Sequence, residues 1–219
     1  AERPVTERLR FRAAAWPLYR HGPRQATLAL RDFVELPPDH NPRTLAWAAS
    51  LRRQNDLAQA DARTLVSALM AHLRQGDFVY TLEPGTYGKD AVDEFLFDRK
   101  MGFCEHFAAS MVVVLRALDV PSRVVTGYQG TDRLPLDGYY IVRNSNAHAW
   151  VEFWQLGEGW VRVDPTAAVA PDRVVRGASL VPRQGLVANA LGNVSPQLLA
   201  KLRSALEAVN NRWNQWVMN

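Results

Sequence analysis

A chain of 219 residues with 47% hydrophobic and 22% charged side chains is long enough to bury a sizeable core and too apolar for disorder. Cys104 is the only cysteine, which excludes a small disulfide scaffold, and apolar runs such as Met111–Leu115 fall far short of a bilayer span. The net charge of +4 rests on twenty-three Arg and three Lys scattered along the chain, with Arg52-Arg53 the only two arginines in succession. No basic stripe of the kind that tracks nucleic acid forms, so nucleic acid is not expected as a partner. No charged start followed by an apolar stretch marks a signal peptide. The first residue, Ala1, is expected of a processed or excised piece.

Residues 1–36 read as a flank without its own core. Leu9, Phe11 and Ala13 alternate with Arg8, Arg10 and Arg12, which predicts a strand, and Thr27–Val34 is expected to form a second. Pro37-Pro38-Asp39-His40-Asn41-Pro42 is a break, with Asn41 as the expected N-cap and Pro42 at the first helical position. One helix is predicted to run from there to about Arg53, and another over Ala58–Gln75, with Leu65, Leu69 and Leu73 on one stripe and Gly76 as its stop. Phe78–Leu82 is a short apolar piece before the turn Glu83-Pro84-Gly85. Asp90 is expected to cap a brief helix presenting Val92, Phe95 and Leu96.

The helix predicted over Cys104–Leu118 is apolar on nearly every side and is therefore expected to be buried all round. Gly102 just before it permits a close backbone approach. Strands are predicted over Arg123–Gln129, Tyr139–Asn144, Ala147–Trp154 and Trp160–Asp164, separated by Asp137-Gly138, Asn144-Ser145-Asn146 and Gly157-Glu158-Gly159. Short connections favour an antiparallel meander, and helices followed by strands make the fold class α+β. A proline-punctuated arm leads to a last helix opened by Pro196, with Leu198, Leu202, Leu206, Val209, Trp213 and Trp216 on one stripe. The expected organisation is a flank of strands over 1–36, a core over 37–170 and a C-terminal arm with an amphipathic helix over 171–219.

A lone cysteine is most often a small buried hydrophobe, but Cys104 sits at a helix amino end, where free N–H groups and the helix dipole favour thiolate. A thiolate nucleophile needs an imidazole to pair with it and to protonate a leaving group. His106 lies two residues along the same helix, points away, and reads as a packing histidine. His148 lies in a strand between the small residues Ala147 and Ala149. A third group orients such an imidazole through its other nitrogen. Asp164 ends the next strand, and hairpin geometry brings it near His148. Each of these residues alone has an ordinary structural role: core thiol, strand histidine, turn-capping aspartate. Together they form a specific set.

The blocks Gly102-Phe103-Cys104-Glu105-His106-Phe107 with Pro121-Ser122-Arg123-Val124-Val125-Thr126-Gly127-Tyr128, Ala147-His148-Ala149-Trp150-Val151-Glu152, and Gly159-Trp160-Val161-Arg162-Val163-Asp164-Pro165-Thr166 resemble the transglutaminase-like superfamily, in its order Cys, His, Asp. Within it they are most similar to TgpA-type bacterial membrane-anchored members. The resemblance implies a papain-like core with a central buried helix packed on an antiparallel sheet. It also implies Cys104 as nucleophile, His148 as general base and acid, and Asp164 as the orienting carboxylate. The implied reaction is acyl transfer from a glutamine carboxamide or peptide carbonyl to an amine through a thioester. The implied partners are a protein or peptide carrying glutamine and an amine acceptor, and the implied setting is a periplasmic domain of a membrane-anchored protein. A hydrolase acting on the same intermediate and a non-catalytic module binding protein or cell-wall peptide are the alternatives. A second oxyanion donor is expected upstream of the cysteine, with Tyr87, Tyr80 and Trp47 as candidates. Trp150, Trp154 and Trp160 are candidates for a wall that excludes water. No cofactor is expected, and no metal motif such as Cys-x-x-Cys or His-Glu-x-x-His occurs.

Overall fold

The computed structural model describes residues 12–16, 19–54, 57–131 and 139–175. Helices and strands follow in the order α1 (Pro42–Arg52), α2 (Ala62–Gln75), β1 (Val79–Tyr80), α3 (Ala91–Asp93), β2 (Met101–Gly102), α4 (Cys104–Ala117), β3 (Ser122–Tyr128), β4 (Ala147–Gln155), β5 (Gly159–Val163) and α5 (Pro171–Val175). The α+β class read from the sequence is the class observed. α4 is the centre of the core: Phe107, Ala108, Val114 and Leu115 are essentially inaccessible to water. They meet Ala149, Val151 and Phe153 of β4, and Leu65, Leu69 and Leu73 of α2. A helix apolar on all sides has no other stable place.

Local chemistry explains the helix starts. Asp61 accepts a bond from the Thr64 N–H, so α2 begins at Ala62 rather than at Ala58. Asn41 lies before α1 but does not cap it; its φ of 53° turns its Oδ1 toward the N–H groups of Val92 and Asp93. Asp93 returns the favour. Its carboxylate accepts from the N–H groups of Arg43 and Thr44 and from the Thr44 hydroxyl, so the two helix starts cap each other. α3 continues into a wider turn over Glu94–Arg99 that buries Phe95 and Leu96, as the apolar spacing predicts.

The main sheet has three strands in the order β3-β4-β5, all antiparallel. Residues 140–143, expected as part of a fourth strand, form no ladder. Tyr140 and Val142 are exposed, and β-propensity without burial does not hold a strand. Thr27–Val34 is likewise not a strand. Leu28–Phe33 forms a 3-10 turn, with the Leu30 N–H donating to the Thr27 carbonyl and the Val34 N–H to the Arg31 carbonyl, and Leu30 is its one fully buried side chain. This flank packs on the β4–β5 hairpin: Phe33 meets the Trp160 ring at 4.9 Å, and Trp154 Nε1 donates to the Pro23 carbonyl. Gly159, at φ 90°, gives the His21 carbonyl room that a Cβ would occupy. Leu9 and Phe11 of the first expected strand and the expected last helix lie outside the described residues, and Arg12–Trp16 have no regular structure. Among the described residues no helix is long and apolar enough to cross a membrane.

Candidate active site

Cys104 is the first residue of α4, and the backbone ahead of it is unusually close to its surroundings. A Cβ on Gly102 would stand 2.7 Å from the His106 Cβ and 3.0 Å from the Phe95 ring. Glycine lets β2 run tight against the helix start. β2 also pairs in parallel with β1, Tyr80 opposite Gly102, and this places Tyr80 two residues from the thiol. The parallel pair was not legible in the sequence beyond the short apolar piece Phe78–Leu82.

His148 is the second residue of β4, and its side chain is 1% exposed. Extending the β4–β5 register by one step sets Asp164 opposite Trp150, hence diagonal to His148 on the same face. The contact is direct: His148 Nε2 lies 2.6 Å from Asp164 Oδ2, and Asp164 Oδ1 accepts from the Thr166 N–H. Trp150 stacks beside the imidazole at 6.3 Å. The lip before His148 is pinned by Asn146, which is buried and accepts from the Arg143 N–H. Nothing in the sequence singled Asn146 out from its neighbours.

The thiol and the imidazole meet. Burial opposes the charge on Cys104, yet hydrogen bonds from His148 and the Ala149 N–H, with the charge of the imidazole and the nearness of the Tyr80 hydroxyl, hold the thiol below its ordinary pKa. Burial likewise opposes the charge on His148. The bonds to Asp164 and Cys104 and the charges of both prevail and push it up to about 9. Both shifts favour the thiolate–imidazolium pair over the neutral one. With Nε2 engaged by Asp164, Nδ1 is the nitrogen left for sulfur.

The three aromatic candidates for an oxyanion donor separate cleanly. Trp47 packs on His72 and Phe97 inside the helical layer. Tyr87 donates to the Met101 carbonyl, under the Arg99 guanidinium. Tyr80 alone of the three lines the same cavity as Cys104. His106 is the packing residue its spacing implies, its ring 4.5 Å from Phe103 and 4.9 Å from Tyr87. Trp154 and Trp160 anchor the N-terminal flank and do not border the site, so they are not the water-excluding wall.

Cys104 and His148 open onto a cavity of about 640 Å³. Tyr80, Leu82, Phe103 and Glu105 bound one side; Val124, Thr126 and Gly127 of β3 bound the other, with Asn144 and Ser145 at the lip. A second cavity of about 550 Å³ shares Leu82, Phe103, Glu105 and Ala109 with it and extends past Glu83 and His106.

The transglutaminase-like superfamily matches residues 48–165, a span that contains the whole of this site. A protein-glutamine gamma-glutamyltransferase of Pseudomonas aeruginosa is 39% identical over 98% of this chain, and the match takes up 32% of the relative. An uncharacterized protein YebA of Bacillus subtilis is 35% identical over 61% of this chain and 19% of its own length. The chain thus spans about a third or less of these curated relatives. Among solved structures, the periplasmic domain of TgpA from Pseudomonas aeruginosa superposes with a TM-score of 0.66 at 44% identity, covering 70% of this chain and 52% of that one. Its ethylmercury-bound form gives 0.64 at 45% identity, covering 69% and 53%. With its fold, its block order and these relatives in agreement, the chain belongs to the transglutaminase-like superfamily.

Proposed function

We propose that this chain catalyses cysteine-dependent acyl transfer, with Cys104 as nucleophile, His148 as acid and base, and Asp164 as the carboxylate that orients and charges the imidazole. The single observation that carries this reading is the buried 2.6 Å contact of His148 with Asp164, beside a thiol whose charged form the site favours. The thiolate attacks a carboxamide carbon, and the oxyanion forms next to the Tyr80 hydroxyl and the amide groups at the start of α4. Imidazolium gives its proton to the departing nitrogen, ammonia leaves, and a thioester remains on sulfur. An incoming amine then attacks the thioester. The now neutral imidazole takes its proton, and collapse returns the thiolate–imidazolium pair.

The donor is a protein or peptide carrying glutamine, and the acceptor is a primary amine such as a lysine side chain. The relative named as a gamma-glutamyltransferase supports the reaction class. The second cavity supports the acceptor: Glu83 and Glu105 at its walls complement an ammonium group. Similarity to a periplasmic domain supports the same setting for this chain, as a domain of a membrane-anchored protein.

The test is incorporation of a fluorescent alkylamine into a glutamine-bearing protein by the wild type and by Cys104→Ala. Incorporation lost in the variant is the expected result; equal incorporation refutes the role of Cys104. Ammonia release without incorporation by the wild type reassigns the site to hydrolysis of the same intermediate. Alkylation of Cys104 at pH 6 no faster than that of free cysteine removes the nucleophile and leaves a binding module.

A further inference from the structure

His148 and Trp150 share one face of β4, and Arg162 and Asp164 share the same face across the β4–β5 pair, with Arg162 opposite Glu152. On that face the Trp150 ring closes over Gly127, the residue of β3 directly opposite His148: a Cβ there would stand 2.9 Å from Trp150 Cη2. The Arg162 guanidinium lies over the same ring, 4.3 Å from its centre. Its Nη2 stands 3.9 Å from Asp164 Oδ2, the oxygen that holds His148, and donates to Gln129 Oε1 at 3.4 Å.

Two paths to the imidazole therefore end on Arg162. One runs through Asp164 to Nε2. The other runs through Trp150, whose ring lies 6.3 Å from the imidazole at an interplanar angle of 24°. Gln129 extends the attachment. Its N–H donates to the carbonyl of Asn146, two residues before His148, and its Nε2 donates to the Val174 carbonyl of α5. An arginine paired with a carboxylate at the surface ordinarily contributes little. Here the carboxylate is only 9% exposed, and the guanidinium combines an aromatic face with a hydrogen bond, which an ammonium cannot do in the same way. Arg123 is built alike on this face, over the Trp160 ring at 4.3 Å, but it pairs with Glu152, farther along the strands from the catalytic pair.

We infer that Arg162 is a positioning residue, which fixes the orientation of the His148 imidazole toward Cys104 by holding Trp150 beside it and by tying Asp164 to Gln129. This role rests on the assignment of Cys104, His148 and Asp164 under the function proposed above. Arg162 does not border the cavity that holds Cys104, so it acts on the reaction only through these neighbours. A misaligned imidazole pairs less well with sulfur and transfers its proton more slowly, while substrate binding is untouched.

The test is the rate of Cys104 alkylation by iodoacetamide at pH 6, measured on the full chain as wild type, Arg162→Gln, Arg162→Lys and Arg123→Gln, each with a thermal melt. Arg162→Gln is expected to slow alkylation by at least about fivefold, with a melting temperature close to that of wild type. Arg162→Lys keeps the charge without the planar fork and should not restore the rate. Arg123→Gln should alkylate as wild type does. In amine incorporation both Arg162 variants should lose kcat by a like factor and keep KM. An Arg162→Gln rate within about twofold of wild type overturns the inference. Full recovery in Arg162→Lys overturns it as well, because charge alone then suffices. So does an equal slowing in Arg123→Gln, which assigns the effect to the stability of the sheet. The transfer reading fails separately: a wild type that alkylates rapidly but incorporates no amine still needs its imidazole in place, and the role of Arg162 stands.

Discussion

Replacing Asp164 by Asn keeps the shape of the side chain and removes the charge that faces the imidazole. In the wild type the His148 side chain is 1% exposed and that of Asp164 9%, so solvent does little to screen their 2.6 Å contact. The difference between the ordinary 6.5 and about 9 for His148 corresponds to ~3 kcal/mol of preference for the charged ring, shared between Asp164 and Cys104. Removing the share of Asp164 costs ~1.5 kcal/mol and moves the alkaline limb of kcat/KM down by roughly one pH unit. Loss of a charge-assisted bond of ~1.5–3 kcal/mol also lowers the plateau, by roughly ten- to a hundredfold. The sign for stability follows. An imidazolium favoured by the fold stabilises it fully below the unfolded pKa, and that contribution fades as pH rises through about 9. The variant should therefore melt lower than wild type at pH 6, and the two should converge above pH ~9. Amine incorporation and thermal melts across pH 5–10 check both. An alkaline limb unmoved in the variant, with a plateau within twofold of wild type, refutes the role given to Asp164.

Tyr80→Phe should lower kcat by roughly a hundredfold or more, as loss of an oxyanion donor does, with little change in melting temperature, because the Tyr80 ring still stacks on Phe107; steady-state kinetics beside a melt checks both. Gly102→Ala forces a methyl group to 2.7 Å from the His106 Cβ and should destabilise by ~1–3 kcal/mol, measured by urea unfolding. Asp93→Ala strands the buried N–H of Thr44 and the cap of α1, and should cost ~2–4 kcal/mol in the same assay.

Short-range physics was fully written in the chain. The all-round apolar pattern of Cys104–Leu118 demanded burial, and α4 is the buried centre. Alternation and turn chemistry set the β4–β5 hairpin and, through it, the nearness of His148 and Asp164. Expectations failed where local preference had no surface to act on. Residues 140–143 carry strand-forming side chains that face water, and Leu28–Phe33 buries a single leucine. The capping of α1 was misassigned for a related reason: Asn41 is the right residue type beside the right proline, but the acceptor that serves the helix is Asp93, fifty residues on.

The residue types of the site, their order and their three blocks were determined by the sequence alone, because each is encoded within a few positions of itself. Tertiary structure alone decided which aromatic stands beside the sulfur. Tyr80, Tyr87 and Trp47 are equivalent along the chain, and only the parallel pairing of Val79–Tyr80 with Met101–Gly102 brings Tyr80 to Cys104. It also decided the charge on the imidazole, since an imidazolium favoured up to about 9 needs sulfur and carboxylate at one point, against the opposing effect of burial. Such charges come from groups distant in sequence, and no local pattern specifies their separation.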